Sequence, residues 1–159
     1  MRDTMAKRTG NRSLWILLVL LVASSLGASL VQTSFGSIKV QSIKLPAQNG
    51  QWLVADLFRP LSATAENPAP LVVVVPGFQR SKEALSNVAI ELARRGIVAI
   101  SIDPYAQGGS SASMSRIAAT TEGYGMFAVV EYAAGTPNLN YIDKTRIGAT
   151  GHSAGGNAA

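Results

Sequence analysis

The sequence predicts an α/β chain, a mostly parallel sheet with helices on both faces, preceded by an N-terminal apolar helix. Three observations predict it. Short, largely apolar runs at residues 71–75 and 97–102 read as buried strands, residues 146–150 read as a third candidate central strand, and helix-spaced stretches lie between them. Residues 14–23 are unbroken apolar sequence behind a basic head. A Gly-x-Ser-x-Gly pentapeptide follows the last strand run.

The bulk numbers bound the answer. The 159 residues suffice for one modest domain, and 47% apolar against 14% charged residues supply enough material for a core. The net charge of +5 is uneven, because Arg2, Lys7, Arg8 and Arg12 against Asp3 place +3 of it in the head. The remainder is nearly balanced and has no basic cluster with interleaved aromatics, which argues against a nucleic-acid partner. There is no cysteine, so disulfides, thiolate catalysis and Cys-ligated zinc are excluded. His152 is the single histidine.

The apolar run continues more weakly to Val31. A helix over residues 14–31 spans about 27 Å at about 1.5 Å per residue, close to a hydrocarbon core of about 30 Å. Residues 1–35 are therefore read as a signal peptide or a membrane anchor with a cytoplasmic basic head, the rest lying on the non-cytoplasmic side. Ala23-Ser24-Ser25 offers a small-x-small cleavage site, whereas an anchor would keep the full stretch. Both alternatives stand.

From residue 36 on, each element has its own signal. Residues 37–45 alternate in their first half, Pro46-Ala47-Gln48-Asn49-Gly50 is a turn, and residues 52–58 alternate less cleanly before Arg59-Pro60. That is an antiparallel pair at the sheet edge. After a Pro/Ala-rich connector, the Val run at 71–75 suits a central strand buried on both faces, broken by Pro76-Gly77. Ser81 is then expected to cap a helix reaching about Arg95, with Leu85, Val88, Ala89 and Leu92 on its apolar face and Gly96 as its C-cap. Residues 97–102 form the next strand, ended by Asp103-Pro104 and a Gly/Ser-rich loop over 107–113. Residues near 116–134 have helical composition despite Gly123 and Gly125, and Gly135-Thr136-Pro137-Asn138 terminates them. Residues 146–150 are a third candidate central strand.

Gly151-His152-Ser153-Ala154-Gly155, after a strand and before a helix, has the form of a nucleophile elbow. Such a turn holds its serine at unfavourable backbone angles and needs glycine two residues to either side, where a Cβ would clash. The Ala154 N–H, opening the next helix, is placed to donate to a developing oxyanion. A second donor is expected from the loop after residues 71–75, with Phe78 first and Gln79 second.

The Pro76-Gly77-Phe78 loop, the segment from Asp103 to Ser110 and Gly151-His152-Ser153-Ala154-Gly155-Gly156, in this order, resemble the α/β-hydrolase superfamily. The flavour is that of dienelactone-hydrolase-like and acetylhydrolase-like esterases. The resemblance covers residues 38–159, the N-terminal part of such a domain, so an incomplete α/β-hydrolase fold is expected, truncated after the elbow. One departure is Pro76, where many relatives carry His. The resemblance implies Ser153 as nucleophile, an acyl-enzyme, and an acid and a histidine base later in the chain. Neither follows Ser153 here, so these residues alone are expected to lack triad-dependent turnover and to be poorly stable. The implied substrate is a small-molecule ester or acyl compound, with membrane contact through residues 14–31. No cofactor and no metal are implied, and nothing fixes an oligomeric state.

Other assignments compete at each position. Side chains diverge in an elbow, so His152 is read as a packed or hydrogen-bonded neighbour of Ser153 and not its base. Asp103 is read as a carboxylate capping local N–H groups, Asp143 and Lys144 as a solvated turn, and Glu122 and Tyr124 as core or surface more than site lining. At the level of function, the Gly-rich turn also suits a nucleotide-binding, short-chain-dehydrogenase-like oxidoreductase, although its glycine spacing is one residue off. A non-catalytic α/β-hydrolase-fold binding protein is the third reading.

Overall fold

The computed structural model describes residues 2–47, 50–112 and 123–159, with side chains from residue 11 onward. Two compact units result, residues 1–36 and 37–159. The first holds α1 (Arg2–Gln32). Its stretch Asn11–Gln32 is long and apolar enough to cross a membrane, with a mean hydropathy of 2.4. Leu14, Trp15, Ile16 and their successors through Val22 are all exposed.

The second unit is a five-stranded mixed sheet in the order β1-β2-β4-β3-β5. β1 (Ile38–Pro46) and β2 (Trp52–Pro60) form the antiparallel edge pair that the alternation and turn signal predict, with Pro46 opposite Trp52. Gln48 and Asn49 of that turn lie outside the described residues. β2 joins β4 (Val98–Ile102) antiparallel, while β3 (Ala69–Val75) runs parallel to both β4 and β5 (Ile142–Gly151).

Helices cover both faces. Leu71, Val73 and Val75 point into one core with Leu53, Ile100, Ile102 and Val129 of α3 (Met126–Gly135). Val74 points into the other with Phe58 and with Ala89 and Ala93 of α2 (Ser86–Arg94). All five β4 residues are buried, which is why this strand reads as apolar apart from Ser101. Gly96 closes α2 at φ +80°, where a side chain is disfavoured.

Three expectations need correction. Ser81 does not start a continuous helix. A 3-10 turn (Lys82–Leu85) precedes α2, and the Ser81 side chain bonds the Glu83 carboxylate and caps no backbone N–H. The carboxylate of Asp103 takes the Lys82 N–H instead, at 2.7 Å. Of the helix expected over 116–134, the described part is a 3-10 turn (Gly123–Gly125) followed by a helix that starts at Met126. Gly125 sits at φ +103°, and a Cβ there would lie 2.7 Å from Leu53 Cδ2, so this residue turns the chain and does not continue a helix. Ser113 and residues 116–122, Glu122 among them, lie outside the described residues. Finally, β5 is the outermost strand among the described residues, with Arg146, Gly148 and Ala149 exposed. A short helix does follow it, α4 (Ala154–Ala158).

β5 bulges between its pairings with Ala69 and Leu71. Asp143 organises the exposed bulge, accepting from the Thr145 hydroxyl (2.6 Å), the Thr145 N–H (2.9 Å) and Arg146. These bonds, that of the Thr145 side chain foremost, hold its carboxyl at about 2, below the ordinary aspartate value of 3.8. A depressed carboxyl stabilises the fold above its unfolded value and loses that contribution as pH falls through its folded one. Asp143→Ala is therefore expected to lower the thermal midpoint of the whole protein near neutral pH. The gap to the wild type should close as the pH approaches 2; a gap independent of pH would contradict this.

Candidate active site

The site follows from strand pairing. β3 and β5 lie side by side, and their last residues, Val75 and Gly151, are register partners. The loops leaving both strands therefore emerge together at the C-terminal edge of the sheet, the end where open α/β sheets bind ligands.

Beyond Gly151 the chain reverses within three residues. Ser153 sits at φ 54°, ψ −121°, a region that costs a non-glycine residue on the order of 1–3 kcal/mol. Backbone bonds hold it there. The His152 N–H donates to the Val75 carbonyl (3.2 Å), the Gly155 N–H to the His152 carbonyl (3.0 Å), and the Asn157 N–H to the Ser153 carbonyl (3.1 Å). The reversal presses α4 against the end of β3. A Cβ on Gly155 would stand 2.1 Å from the Val75 oxygen and 2.5 Å from that of Pro76. One on Gly151 would stand 2.4 Å from the Gly155 carbonyl carbon. Neither position admits a side chain. Ser153 is left exposed at the apex, and Ala154 opens α4 immediately behind it.

The loop after β3 passes over this turn. Pro76 is fully buried, and a Cβ on Gly77 would lie 3.2 Å from Ser153 Cβ. Residues 77–80 form a tight turn in which the Arg80 N–H donates to the Gly77 carbonyl (3.2 Å), with Gln79 at φ 56°. Phe78 occupies this turn with its ring 67% exposed. The arrangement brings Ser153, Ala154 and the Phe78 turn to one place. An acyl-transfer site needs a raised hydroxyl with backbone N–H groups beside it.

The other candidates hold different places, and the His152 ring lies beside Gly77. His152 is exposed, and among the described residues no hydrogen bond joins its ring to Ser153. Asp103 is only 3% exposed and accepts from the N–H groups of Lys82 (2.7 Å) and Gly109 (2.9 Å), the capping role expected of it. Tyr124 is half-buried against the core. Among the described residues no cluster of three or more His, Asp or Glu converges to hold a metal ion. Two contributors escaped sequence reasoning. Gly77 carries a steric signal only once the elbow is packed against it, and Gln107, in the Gly/Ser loop, accepts from the Arg80 N–H at 2.8 Å.

The family described as PET hydrolase-like matches residues 24–159. Among solved structures, the chain is similar to an esterase of Pyrococcus furiosus, at 18% identity and a TM-score of 0.63 over 80% of this chain and 47% of that one. It is also similar to Est1E from Butyrivibrio proteoclasticus with ferulic acid bound, at 23% and 0.57 over 70% and 42%. A third similar structure is DcsB in complex with its substrate analogue, at 20% and 0.62 over 76% and 39%. These likenesses show the α/β-hydrolase fold, and the chain spans less than half the length of each structure. No curated protein matches.

The glycine geometry sets a stability test. Gly155→Ala is expected to destabilise the whole protein by about 3 kcal/mol, since its Cβ meets backbone that cannot yield. Gly148→Ala, with nothing within 4 Å of its Cβ, should change stability by less than about 0.5 kcal/mol. Denaturant unfolding of the two variants decides it, and equal effects would refute the packing argument.

Proposed function

Because the chain belongs to the PET hydrolase-like family, we propose that the whole protein is a serine hydrolase cleaving an ester or related acyl bond. The observation that carries this reading is Ser153 at φ 54°, ψ −121° between two glycines that leave no room for a Cβ. The Ser153 hydroxyl attacks the acyl carbon, and the carbonyl oxygen becomes an oxyanion held by the Ala154 and Phe78 N–H groups. Each such donor contributes on the order of 3 kcal/mol to the transition state. The tetrahedral intermediate collapses, the alcohol leaves with a proton, and water hydrolyses the acyl-enzyme.

The proton needs a base. His152, the single histidine here, shares no hydrogen bond with Ser153, so the base and its acid partner are assigned to chain outside these 159 residues. Residues 1–159 by themselves then turn over no ester. The family assignment sets aside the dinucleotide-binding alternative, while a binding protein on the same fold remains an outcome of the test. A fluorophosphonate should label the whole protein at Ser153. Ser153→Ala should abolish labelling and lower ester turnover by at least about 10⁴-fold. A labelled, turnover-competent Ser153→Ala protein would overturn the assignment, and an unreactive wild type would favour the binder.

Residues 1–35 are proposed as a membrane anchor or signal peptide that places residues 37–159 on the non-cytoplasmic side. The exposed apolar surface of α1 supports this reading. The N-terminal sequence of protein isolated from cells separates the two. An intact, membrane-sedimenting chain means an anchor, and a start just after Ala23-Ser24-Ser25 means a signal. An intact chain free in the cytoplasm would sink both.

A further inference from the structure

Resting on the reading of Ser153 as nucleophile and the Phe78 N–H as an oxyanion donor, we infer that Gln107 is a positioning residue that fixes the turn carrying that donor. The turn comprises residues 77–80. Its closing bond, from the Arg80 N–H to the Gly77 carbonyl, is 3.2 Å long, and Gln79 at φ 56° is in a conformation that only glycine adopts freely. The same Arg80 N–H makes a shorter bond, 2.8 Å, to Gln107 Oε1, which lies 27 positions away. That side-chain carbonyl is the contact that ties the turn to a loop outside its own strand.

The loop bearing Gln107 is built to be stiff. It is closed by the Ala106 N–H on the Ser111 carbonyl (2.9 Å) and by the Gln107 N–H on the Pro104 carbonyl (3.0 Å). Ala106 and Gly108, on either side of Gln107, both have positive φ, 60° and 53°. The Asp103 carboxylate grips the Gly109 N–H, and the Ser110 hydroxyl bonds both the Asp103 carbonyl (2.6 Å) and the Val54 N–H (2.9 Å). A rigid base thus presents one carbonyl to the last residue of a turn whose first residue, Gly77, lies against Ser153. An oxyanion donor is effective only if it is fixed before the charge develops, so a loosened turn costs transition-state binding more than substrate binding.

The test uses the whole protein, with active sites counted by fluorophosphonate so that unfolded molecules do not enter the rates. Gln107→Met keeps the length of the side chain and removes the acceptor. It is expected to lower kcat about tenfold, less than the roughly hundredfold loss of an entire donor, with KM within about twofold. Affinity for a boronic acid, which forms a tetrahedral adduct on the serine, should fall by the same factor as kcat. Gln107→Glu, which restores a carbonyl acceptor, should recover most of the loss. An unchanged kcat, a change confined to KM, or no recovery with Glu would overturn the positioning role. Full turnover by Ser153→Ala would instead overturn the underlying nucleophile reading, so the two failures are told apart.

Discussion

The arrangement at the sheet edge depends on the Val75 carbonyl. It accepts the His152 N–H, and the α-carbons of Gly151 and Gly155 pack against it at a separation no side chain permits. This contact sets how sharply the chain reverses after β5 and so forces Ser153 into its strained conformation. The strain is offset locally, because the reversal ends in α4, whose first bonds fix the backbone on both sides of the serine. Pro76 follows Val75 directly and is fully buried, so the position of one carbonyl also fixes where the loop after β3 begins. Two loops far apart in sequence are registered to each other through one oxygen atom.

A second layer of order comes from buried polar groups at the end of β4, a strand that contributes no group to the proposed chemistry. Ser101 donates to the Lys82 carbonyl and Asp103 accepts the Lys82 N–H, so the strand end grips both backbone groups of the residue that starts the 3-10 turn. Asp103 also takes the Gly109 N–H. With these bonds made, no described buried side-chain polar atom lacks a partner. Removing such a carboxylate would strand two N–H groups, each costing about 1–3 kcal/mol if left dry. The sheet therefore places the serine, and the polar groups beside it place the backbone around the serine.

What was legible in the sequence follows the range of the physics. The Val run at 71–75 announced a strand covered on both faces because side-chain burial is written residue by residue. Gly151 and Gly155 announce the elbow because their spacing about Ser153 is a local pattern, although the atoms that Gly155 must clear, the Val75 and Pro76 oxygens, belong to a distant strand end. Gly96 announced a helix end for the same local reason. Ser81 misleads because the acceptor that replaces it, Asp103, sits 21 positions beyond Lys82 and leaves no local pattern. Gly125 was absorbed into a helix because the Leu53 methyl that fixes its conformation belongs to a distant strand. Gln107 shows the same limit at the site, where loop composition was readable and the atom it reaches was not.

The outer flank of β5 is a row of backbone donors and acceptors that no strand pairs among the described residues. Such a flank is a template on which any extended chain can grow, another copy of the same protein included. Lys144 and Arg146, both exposed, put positive charge near the start of that flank, and the Asp143 bulge bends it away from a flat pairing geometry. The far end, at Gly148 and Ala149, has neither charge nor bulk to protect it. Among the described residues, the strand that delivers Ser153 is therefore held by pairing on one side alone.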